Sequence, residues 1–372
     1  MKCVLITGAT GVIGSELVPL FLESGDWEIR LVVRARSESH LQERFERLIA
    51  YWDLEPGISS TTGRIKMFAG DVCRPHLGLD DAAYRQLGGE VTHVIHSAGN
   101  VKLNQSVEEA TDHTVGSVSN VLEFVAICQD HQHFQKLDVV STIGVAGRMD
   151  GLIPERPITQ QREYHNSYEM AKSKAEDLLF EKLADGLPVT VHRPSMVVGD
   201  AKTGRVAHFQ VFYYLCDFLA GKRTHGIIFD PSDATLDIIP VDYVARAIRI
   251  SAGDQDSVGR VFHLCSGRGR SVCLSDLVLR TRVLAAAGGT QLPKLRRLPQ
   301  AWFRRFLPYA ERLSWGTARR VLAGLPYFLT YLDETQSFAV DQTEAYFSER
   351  DLVVQNANEY LDRILKYYLQ DG

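Results

Sequence analysis

Residues 2–14 read KCVLITGATGVIG, and this stretch decides the fold class. Its first part, Lys2 to Ile6, is an apolar run with no charge inside it, which is typical of a buried strand in a parallel sheet. It passes directly into a turn that contains Gly8, Gly11 and Gly14, and then into a helical pattern. Glycines let the backbone approach a pyrophosphate, and the free N–H groups of the helix start bind the anion. The stretch therefore predicts a dinucleotide site; an ordinary tight turn is the alternative.

The end of the second predicted strand indicates which nicotinamide cofactor binds. This strand covers Glu28 to Val33 and is followed by Arg34 and Arg36. No carboxylate ends it, whereas NAD-preferring enzymes use one there to hold the ribose 2′-OH. Guanidinium groups form paired hydrogen bonds with phosphates. We therefore predict a preference for NADP(H); the alternative is that both arginines are simply solvated.

A second local pattern predicts proton-transfer chemistry. Tyr168 and Lys172 lie four residues apart in the run NSYEMAKSKAE, residues 166–176. On an α-helix this spacing puts both side chains on one face. An ammonium beside a phenol favours tyrosinate and lowers the tyrosine pKa towards neutrality, where a general acid is most useful. Without the glycine-rich turn, the same spacing would also fit an exposed helix face.

Strands alternate with helices over most of the chain. Further predicted elements are the strands Ile65–Ala69, Val91–His96 and Leu137–Val140 and the helices Leu41–Trp52 and Val107–Gln129. This alternation predicts an α/β fold with a Rossmann-type, doubly wound parallel sheet.

The predicted division of the chain has two parts. An NADP-binding Rossmann domain covers residues 1–199, and residues 236–265 return to it. Within that returning segment, the strands Leu236–Pro240 and Val261–Leu264 are expected to join the main sheet. A smaller, mostly helical substrate-binding part covers residues 200–372.

Composition excludes several other classes of protein. Hydrophobic residues make up 45% of the chain and charged residues 23%, as in ordinary soluble enzymes. The six cysteines have no paired spacing, which argues against a zinc site and against a disulfide framework. No apolar run approaches the length of a membrane span, and a strand that starts at residue 2 leaves no room for a signal peptide. We predict a cytoplasmic protein without a metal site.

Several runs together resemble the thioester reductase group of the extended short-chain dehydrogenase/reductases. That group includes the terminal reductase domains of carboxylic acid reductases and nonribosomal peptide synthetases, and the fatty acyl-CoA reductases. Besides the glycine turn and the Tyr–Lys pair, the resemblance rests on LVVRA (31–35), RFERL (44–48), GDV (70–72), LGL (77–79), HVIHSA (93–98), VST (140–142), HRP (192–194) and LDIIPVDYV (236–244). It covers about residues 1–265. One departure is His113, which stands where the group usually has a structural Asn.

The resemblance implies NADPH-dependent reduction of an acyl thioester, carried on coenzyme A or an acyl carrier protein, to an aldehyde and, as an open question, on to the alcohol. Thr142 and Tyr168 are expected to bond the substrate oxygen, Tyr168 to supply the proton and Lys172 to hold the ribose; Ser141 is the alternative to Thr142. The implied cofactor contacts are Gly8, Thr10, Gly11, Val12, Ile13, Gly14, Arg34, Arg36, Asp71, Val72, Ser97, Ala98, Gly99, Tyr168, Lys172 and Pro194. The histidines expected to be structural are His93, His96, His165 and His192.

Two other functions remain open at this point. An epimerase or a hydroxysteroid-type dehydrogenase has the same Tyr–Lys pair and Rossmann domain and differs in its pocket. A non-catalytic NADP-binding regulator is the other alternative, although such proteins tend to lose the tyrosine.

Residues 294–320 differ in charge from the rest of the chain. They hold eight Lys or Arg residues and one Glu, with aromatic residues between them, on a chain whose net charge is −5. Such a segment fits nucleic acid, anionic lipid or an acidic partner, and its simplest alternative is a solvated helix face. We predict attraction of a carrier protein or coenzyme A, with contact to a membrane surface as the competing role and without nucleic-acid binding. The sequence does not indicate an oligomeric state.

Overall fold

The computed structural model describes residues 2–54, 63–103, 105–222, 224–231, 234–313 and 336–371. Its strands are β1 (Lys2–Thr7), β2 (Trp27–Val33), β3 (Ile65–Ala69), β4 (His93–His96), β5 (Lys136–Val140), β6 (Leu152–Ile153), β7 (Val189–Pro194), β8 (Met196–Val198), β9 (Ile227–Phe229), β10 (Thr235–Leu236), β11 (Ile238–Pro240), β12 (Val261–Leu264), β13 (Val272–Cys273), β14 (Arg296–Leu298) and β15 (Ser337–Phe338). Its helices are α1 (Val12–Glu23), α2 (Glu38–Tyr51), α3 (Asp81–Glu90), α4 (Val107–Asp130), α5 (Ser167–Ala184), α6 (Val211–Leu219), α7 (Val241–Ala252), α8 (Leu274–Ala287), α9 (Gln300–Leu313), α10 (Asp341–Ser348) and α11 (Ala357–Asp371).

Seven parallel strands form the central sheet, in the order β3-β2-β1-β4-β5-β7-β12. The chain winds outward in one direction from β1 to β3 and in the other direction from β4 to β12. The two directions meet between β1 and β4, and in such sheets ligands bind in the crevice at the carboxyl ends of these strands. The predicted Rossmann-type doubly wound sheet is confirmed.

Both faces of the sheet are covered by helices, as the apolar character of β1 requires. Successive side chains of a strand point to opposite faces. Accordingly Val4 and Ile6 pack in a core with α1 and α7, whereas Cys3 and Leu5 pack in a second core with α4 and α5. Strand β1 therefore exposes neither of its two faces.

The C-terminal part builds a third core. Its buried members come mainly from helices α6, α8, α9 and α11, and they include Phe212, Phe218 and Tyr360. The predicted mostly helical character of this part is confirmed. The division of the chain near residue 199 stays a prediction. None of the helices within the described residues is both long and apolar enough to cross a bilayer.

The segment Leu236–Pro240 differs from its prediction. Val261–Leu264 joins the central sheet beside β7 as predicted, but Leu236–Pro240 contributes two short strands that lie outside it. Strand β10 pairs antiparallel with β13, and β11 pairs parallel with β8. The break falls at Asp237, whose carboxylate accepts the backbone N–H groups of Ser266 at 2.9 Å and Gly267 at 3.0 Å. The Asp237 side chain hydrogen-bonds a neighbouring loop and so interrupts the strand. The apolar pattern of Leu236–Pro240 alone does not reveal this.

Candidate active site

The glycine-rich turn between β1 and α1 is packed so tightly that side chains do not fit. Gly8 has a φ of +75°, and a Cβ there would lie 2.6 Å from the backbone nitrogen of Ala98. A Cβ on Gly14 would lie 2.2 Å from the carbonyl oxygen of Gly8. The N–H of Gly11 donates to that same oxygen at 2.8 Å, and Gly11 is the N-cap of α1. This cradle fits a dinucleotide, because it leaves backbone N–H groups at a helix start open to a pyrophosphate.

The loop after β4 lies directly against this turn. Thr7, the last residue of β1, bonds the Nδ1 atom of His96 at 2.9 Å and accepts the N–H of Ala98 at 3.4 Å. The run Ser97 to Gly99 therefore crosses the crevice between β1 and β4, where the sequence predicted that it passes under the cofactor. That contact itself stays a prediction.

A third arginine, Arg44 on α2, joins the predicted phosphate site. Its guanidinium donates to the carbonyl of Arg34 at 2.8 Å and to the hydroxyl of Thr10 at 2.7 Å. Burial, together with the positive charges of Arg34 and Arg47, lowers the pKa of Arg44. Sequence reasoning placed Arg44 only within a family-like run and assigned it no role. The sequence signal that could have indicated a role for Arg44 is Ser37, which caps the start of α2. This cap starts α2 close to β2, so the second turn of the helix faces the glycine-rich turn.

The side chain of Arg36 is exposed, and its backbone N–H donates to Nδ1 of His40 at 3.3 Å. Arg34 is exposed as well, and it is its backbone carbonyl that accepts from Arg44. The contacts of Arg34 and Arg36 with a cofactor stay predictions.

The remaining predicted cofactor residues lie at the carboxyl edge of the sheet. Asp71 follows β3, and its carboxylate accepts the N–H of Cys73 at 3.1 Å. The carbonyl of Val72 accepts the side-chain amide of Asn120 at 2.9 Å.

Pro194 is the last residue of β7. Val12 and Ile13 open helix α1 and pack on the C-terminal core. Their contacts with a cofactor stay predictions.

Helix α5 brings the proposed catalytic side chains together. Its N-cap is Asn166, which accepts the N–H of Glu169, so Tyr168 and Lys172 lie one turn apart near the helix start. Thr142 accepts the N–H of Gly144 at 3.1 Å, and its hydroxyl interacts with that of Tyr168.

Lys172 lies on the cofactor side of this group. Its ammonium donates to the carbonyl of Val140 at 2.9 Å. A Cβ on Gly99 would lie 3.6 Å from its Nζ. The three predicted catalytic residues thus meet beside the loop after β4.

Burial dominates the acidity of this group. It raises the pKa of Tyr168 well above its usual value, the Glu169 carboxylate adds to the rise, and the bond from Thr142 opposes it. Burial lowers the pKa of Lys172 to about 8, against a smaller opposing effect of Glu176. The predicted lowering of the Tyr168 pKa by Lys172 is therefore wrong for this geometry, since the ammonium is directed to the Val140 carbonyl. Tyr168 keeps its proton at neutral pH, which suits a proton donor.

Comparison with known proteins identifies the family. Residues 6–248 match the model of an NAD-binding family described as male sterility protein. The chain belongs to the male sterility protein family. This confirms the recognition of an extended short-chain dehydrogenase/reductase of the thioester reductase group, and with it the class of nicotinamide-dependent oxidoreductases.

Relatives within this family are much longer proteins. The isonitrile lipopeptide synthase of Streptomyces coeruleorubidus is 30% identical over 264 residues, which are 70% of this chain and 17% of that protein. The chain spans between 10% and 25% of the length of the next two curated relatives.

Two solved structures share the fold. The terminal R domain from the myxalamid PKS-NRPS biosynthetic pathway superposes with a TM-score of 0.81 at 23% identity, covering 100% of this chain and 91% of that one. A thiolation-reductase di-domain from an archaeal non-ribosomal peptide synthetase has a TM-score of 0.77 at 21% identity, covering 99% and 75% of the two chains.

The other polar candidates of this male sterility family member are accounted for within the fold. Ser141 is buried, and its hydroxyl has no hydrogen-bond partner in the described part of the chain, so Thr142 is the residue that contacts Tyr168.

The histidines bond as follows: His93 to Thr92, His96 to Thr7, His165 to Glu169 and His192 to Asp138. His113 is exposed on α4, and its carbonyl accepts the thiol of Cys73. Within the described ranges, no three His, Cys, Asp or Glu side chains are grouped to hold a metal ion.

Proposed function

We propose that this protein reduces an acyl thioester to an aldehyde with NADPH. The observation that carries the proposal is the meeting of Thr142, Tyr168 and Lys172 beside the loop after β4, which packs against the glycine cradle. Membership of the male sterility family supports it, as does the likeness to R domains and to a thiolation-reductase di-domain.

The residues of this chain can perform the steps in order. The glycine cradle, the Arg34–Arg44 pair and Lys172 would hold the cofactor, which when bound would supply the hydride for the thioester carbonyl carbon. The hydroxyls of Thr142 and Tyr168 donate hydrogen bonds to the carbonyl oxygen, where negative charge develops. Tyr168 then gives its proton to that oxygen, which yields a hemithioacetal. When the C–O double bond re-forms, the C–S bond breaks, the hydroxyl proton returns to Tyr168, and the sulfur leaves as a thiolate that takes a proton from water. Reduction of the aldehyde by a second NADPH, with the same residues, would yield the alcohol.

The proposed reaction is tested by its stoichiometry. NADPH oxidation should be followed with a panel of acyl-CoAs and acyl carrier proteins, and with nucleotide sugars and sterols as controls. We expect one free thiol for each aldehyde released, and no turnover of the controls. Turnover of a nucleotide sugar without thioester activity would identify an epimerase. Tight NADPH binding without turnover of any substrate would identify a regulator.

The Arg34–Arg44 pair predicts a preference for NADPH over NADH. We expect NADPH to bind at least about tenfold tighter, which is about 1.4 kcal/mol, because its additional 2′-phosphate would meet the guanidinium groups of Arg34 and Arg44. Arg34→Asp and Arg44→Leu should each remove most of this preference, as measured by fluorescence titration of both cofactors. Arg36→Asp is the matched control and should change the ratio least. Equal affinities in the unmodified protein would contradict the prediction.

Beyond strand β14, the described part of the basic segment is the amphipathic helix α9. Phe303 and Leu307 of α9 are buried, and Phe303 packs on Phe218 with ring centroids 5.4 Å apart. The opposite face carries Trp302 and Tyr309, which are 58% and 62% exposed, together with the exposed arginines 305 and 312. Residues 314–320 of the segment, including Trp315, lie outside the described residues. A face with exposed aromatic and basic side chains fits the acidic helix that acyl carrier proteins present.

This face predicts salt-sensitive delivery of a carrier-bound substrate. Exposed charges act mainly on encounter and are screened beyond about 8 Å at physiological ionic strength. We expect kcat/KM for an acyl carrier protein substrate to fall steeply with added salt, and that for a short N-acetylcysteamine thioester to change little. The double reversal Arg305→Glu/Arg312→Glu should reproduce the salt effect without changing kcat.

The matched control for this reversal is Lys66→Glu/Arg85→Glu, which changes the same charge on exposed residues of β3 and α3. Sedimentation with anionic vesicles measures the competing membrane role. If the first double reversal leaves carrier, coenzyme A and vesicle binding unchanged, α9 presents only a solvated face.

A further inference from the structure

A buried acid–imidazole pair lies directly behind the proposed catalytic residues. Both side chains of His165 and Glu169 are 1% exposed. One carboxylate oxygen of Glu169 accepts both the backbone N–H of His165, at 3.0 Å, and its ring Nδ1, at 2.8 Å. Burying a carboxylate is costly unless it is well bonded, so these two donors hold Glu169 in one orientation.

The other side of Glu169 presses on the loop that carries Thr142. A Cβ on Gly144 would lie 3.0 Å from Cγ of Glu169 and 3.2 Å from its Oε1. Gly144 does not have a positive φ, so its own backbone conformation does not require glycine. The close approach of Glu169 is what leaves no room for a side chain there.

Gly144 in turn orients Thr142. Its N–H donates to the Thr142 hydroxyl oxygen at 3.1 Å, which fixes the position of that hydroxyl beside Tyr168 and leaves its proton for a further acceptor. Contacts thus run without interruption from His165 through Glu169 and Gly144 to Thr142.

We propose that the His165–Glu169 pair is a positioning unit that holds Thr142 against Tyr168. Neither residue is assigned contact with the substrate. The pair acts by fixing the turn Ile143–Ala146, so that the Thr142 hydroxyl stays beside Tyr168 with its proton directed to the substrate oxygen. The activity assay for this inference rests on the proposed function, but the geometry does not.

A double-mutant cycle tests whether Glu169 acts through Thr142. We expect Glu169→Gln and Thr142→Val each to lower kcat by roughly tenfold, and the double variant to lower it no further than Thr142→Val alone, within about twofold. NADPH affinity and KM should stay within about twofold of the unmodified values. Gly144→Ala places a methyl group against Glu169 and should also lower kcat when it is the only substitution. Added to Thr142→Val, it should lower kcat no further. If kcat of the double variant falls by the product of the two single-variant factors, the proposal is overturned.

Two controls separate this outcome from other failures. Asp177→Asn makes the same carboxylate-to-amide change at an exposed site of α5 and should leave kcat unchanged. If thioesters are not reduced but an aldehyde is, the cycle is measured with the aldehyde, and only the proposed function fails. Crystal structures of Glu169→Gln and Gly144→Ala give a readout without activity. We expect the Thr142 and Tyr168 hydroxyls to lie farther apart than in the unmodified protein, and an unchanged separation in both variants would refute the inference.

Discussion

Tyr168→Phe should lower kcat by about 10² or more, the usual scale of a lost general acid, while NADPH affinity stays nearly unchanged. The substitution removes one hydroxyl and keeps the ring. That hydroxyl interacts with Thr142 and keeps its proton because burial raises its pKa. Phenylalanine therefore leaves the glycine cradle intact but cannot protonate the substrate oxygen.

Variants of the neighbouring residues show whether this loss belongs to Tyr168. Lys172→Ala should weaken both turnover and NADPH binding, because its ammonium lies beside Gly99 as well as one turn from Tyr168. Ser141→Ala is the matched hydroxyl deletion and should leave kcat near that of the unmodified protein, since Ser141 makes no hydrogen bond within the described residues. Steady-state kinetics and fluorescence titration measure the two effects separately. Native turnover by Tyr168→Phe would mean that a different acid acts.

Glu176→Ala should lower the free energy of unfolding by about 3–5 kcal/mol, the cost of leaving a buried charge without its partner. Arg193 on β7 donates to the Glu176 carboxylate through Nε at 3.0 Å and through Nη2 at 2.6 Å. Their side chains are 1% and 4% exposed, respectively. This pair ties α5, and with it Tyr168 and Lys172, to the central sheet. Urea unfolding measures the loss.

Two comparisons identify burial as the cause of this loss. Asp185→Ala breaks the pair of Asp185 with Lys182 near the end of α5, where both side chains are more than half exposed, and should cost at most about 1 kcal/mol. The double replacement Arg193→Met/Glu176→Leu removes both charges and should recover much of the stability that Glu176→Ala loses. A loss in Glu176→Ala no larger than that in Asp185→Ala would contradict the prediction.

The features that could be predicted from the sequence depend on residues close together in the chain. The run from Lys2 to Gly14 specifies a strand, a turn and a helix start within thirteen positions. Tyr168 and Lys172 share a helix face because helical geometry places residues four apart on the same side. Such patterns need no knowledge of the remaining chain, and the fold and the family followed from them.

Contacts between distant segments could not be predicted in this way. Arg44 reaches Thr10, 34 positions away, through a side chain whose direction depends on how α2 packs. Leu236–Pro240 has the composition of a sheet strand, but the bonds of Asp237 to Ser266 and Gly267 divide it. Neither the partner nor its distance is encoded in the local pattern.

The amino-acid sequence by itself determined the sheet, the dinucleotide turn and the helix that carries Tyr168 and Lys172, because periodicity and glycine spacing act over a few residues. The tertiary structure alone decided the chemical state of those groups. Burial depends on every element that packs around a site, so the sequence predicted a lowered Tyr168 pKa where desolvation raises it. It likewise decided that Thr142 rather than Ser141 meets Tyr168, because the direction of two adjacent hydroxyls is set by how β5 and α5 pack against each other.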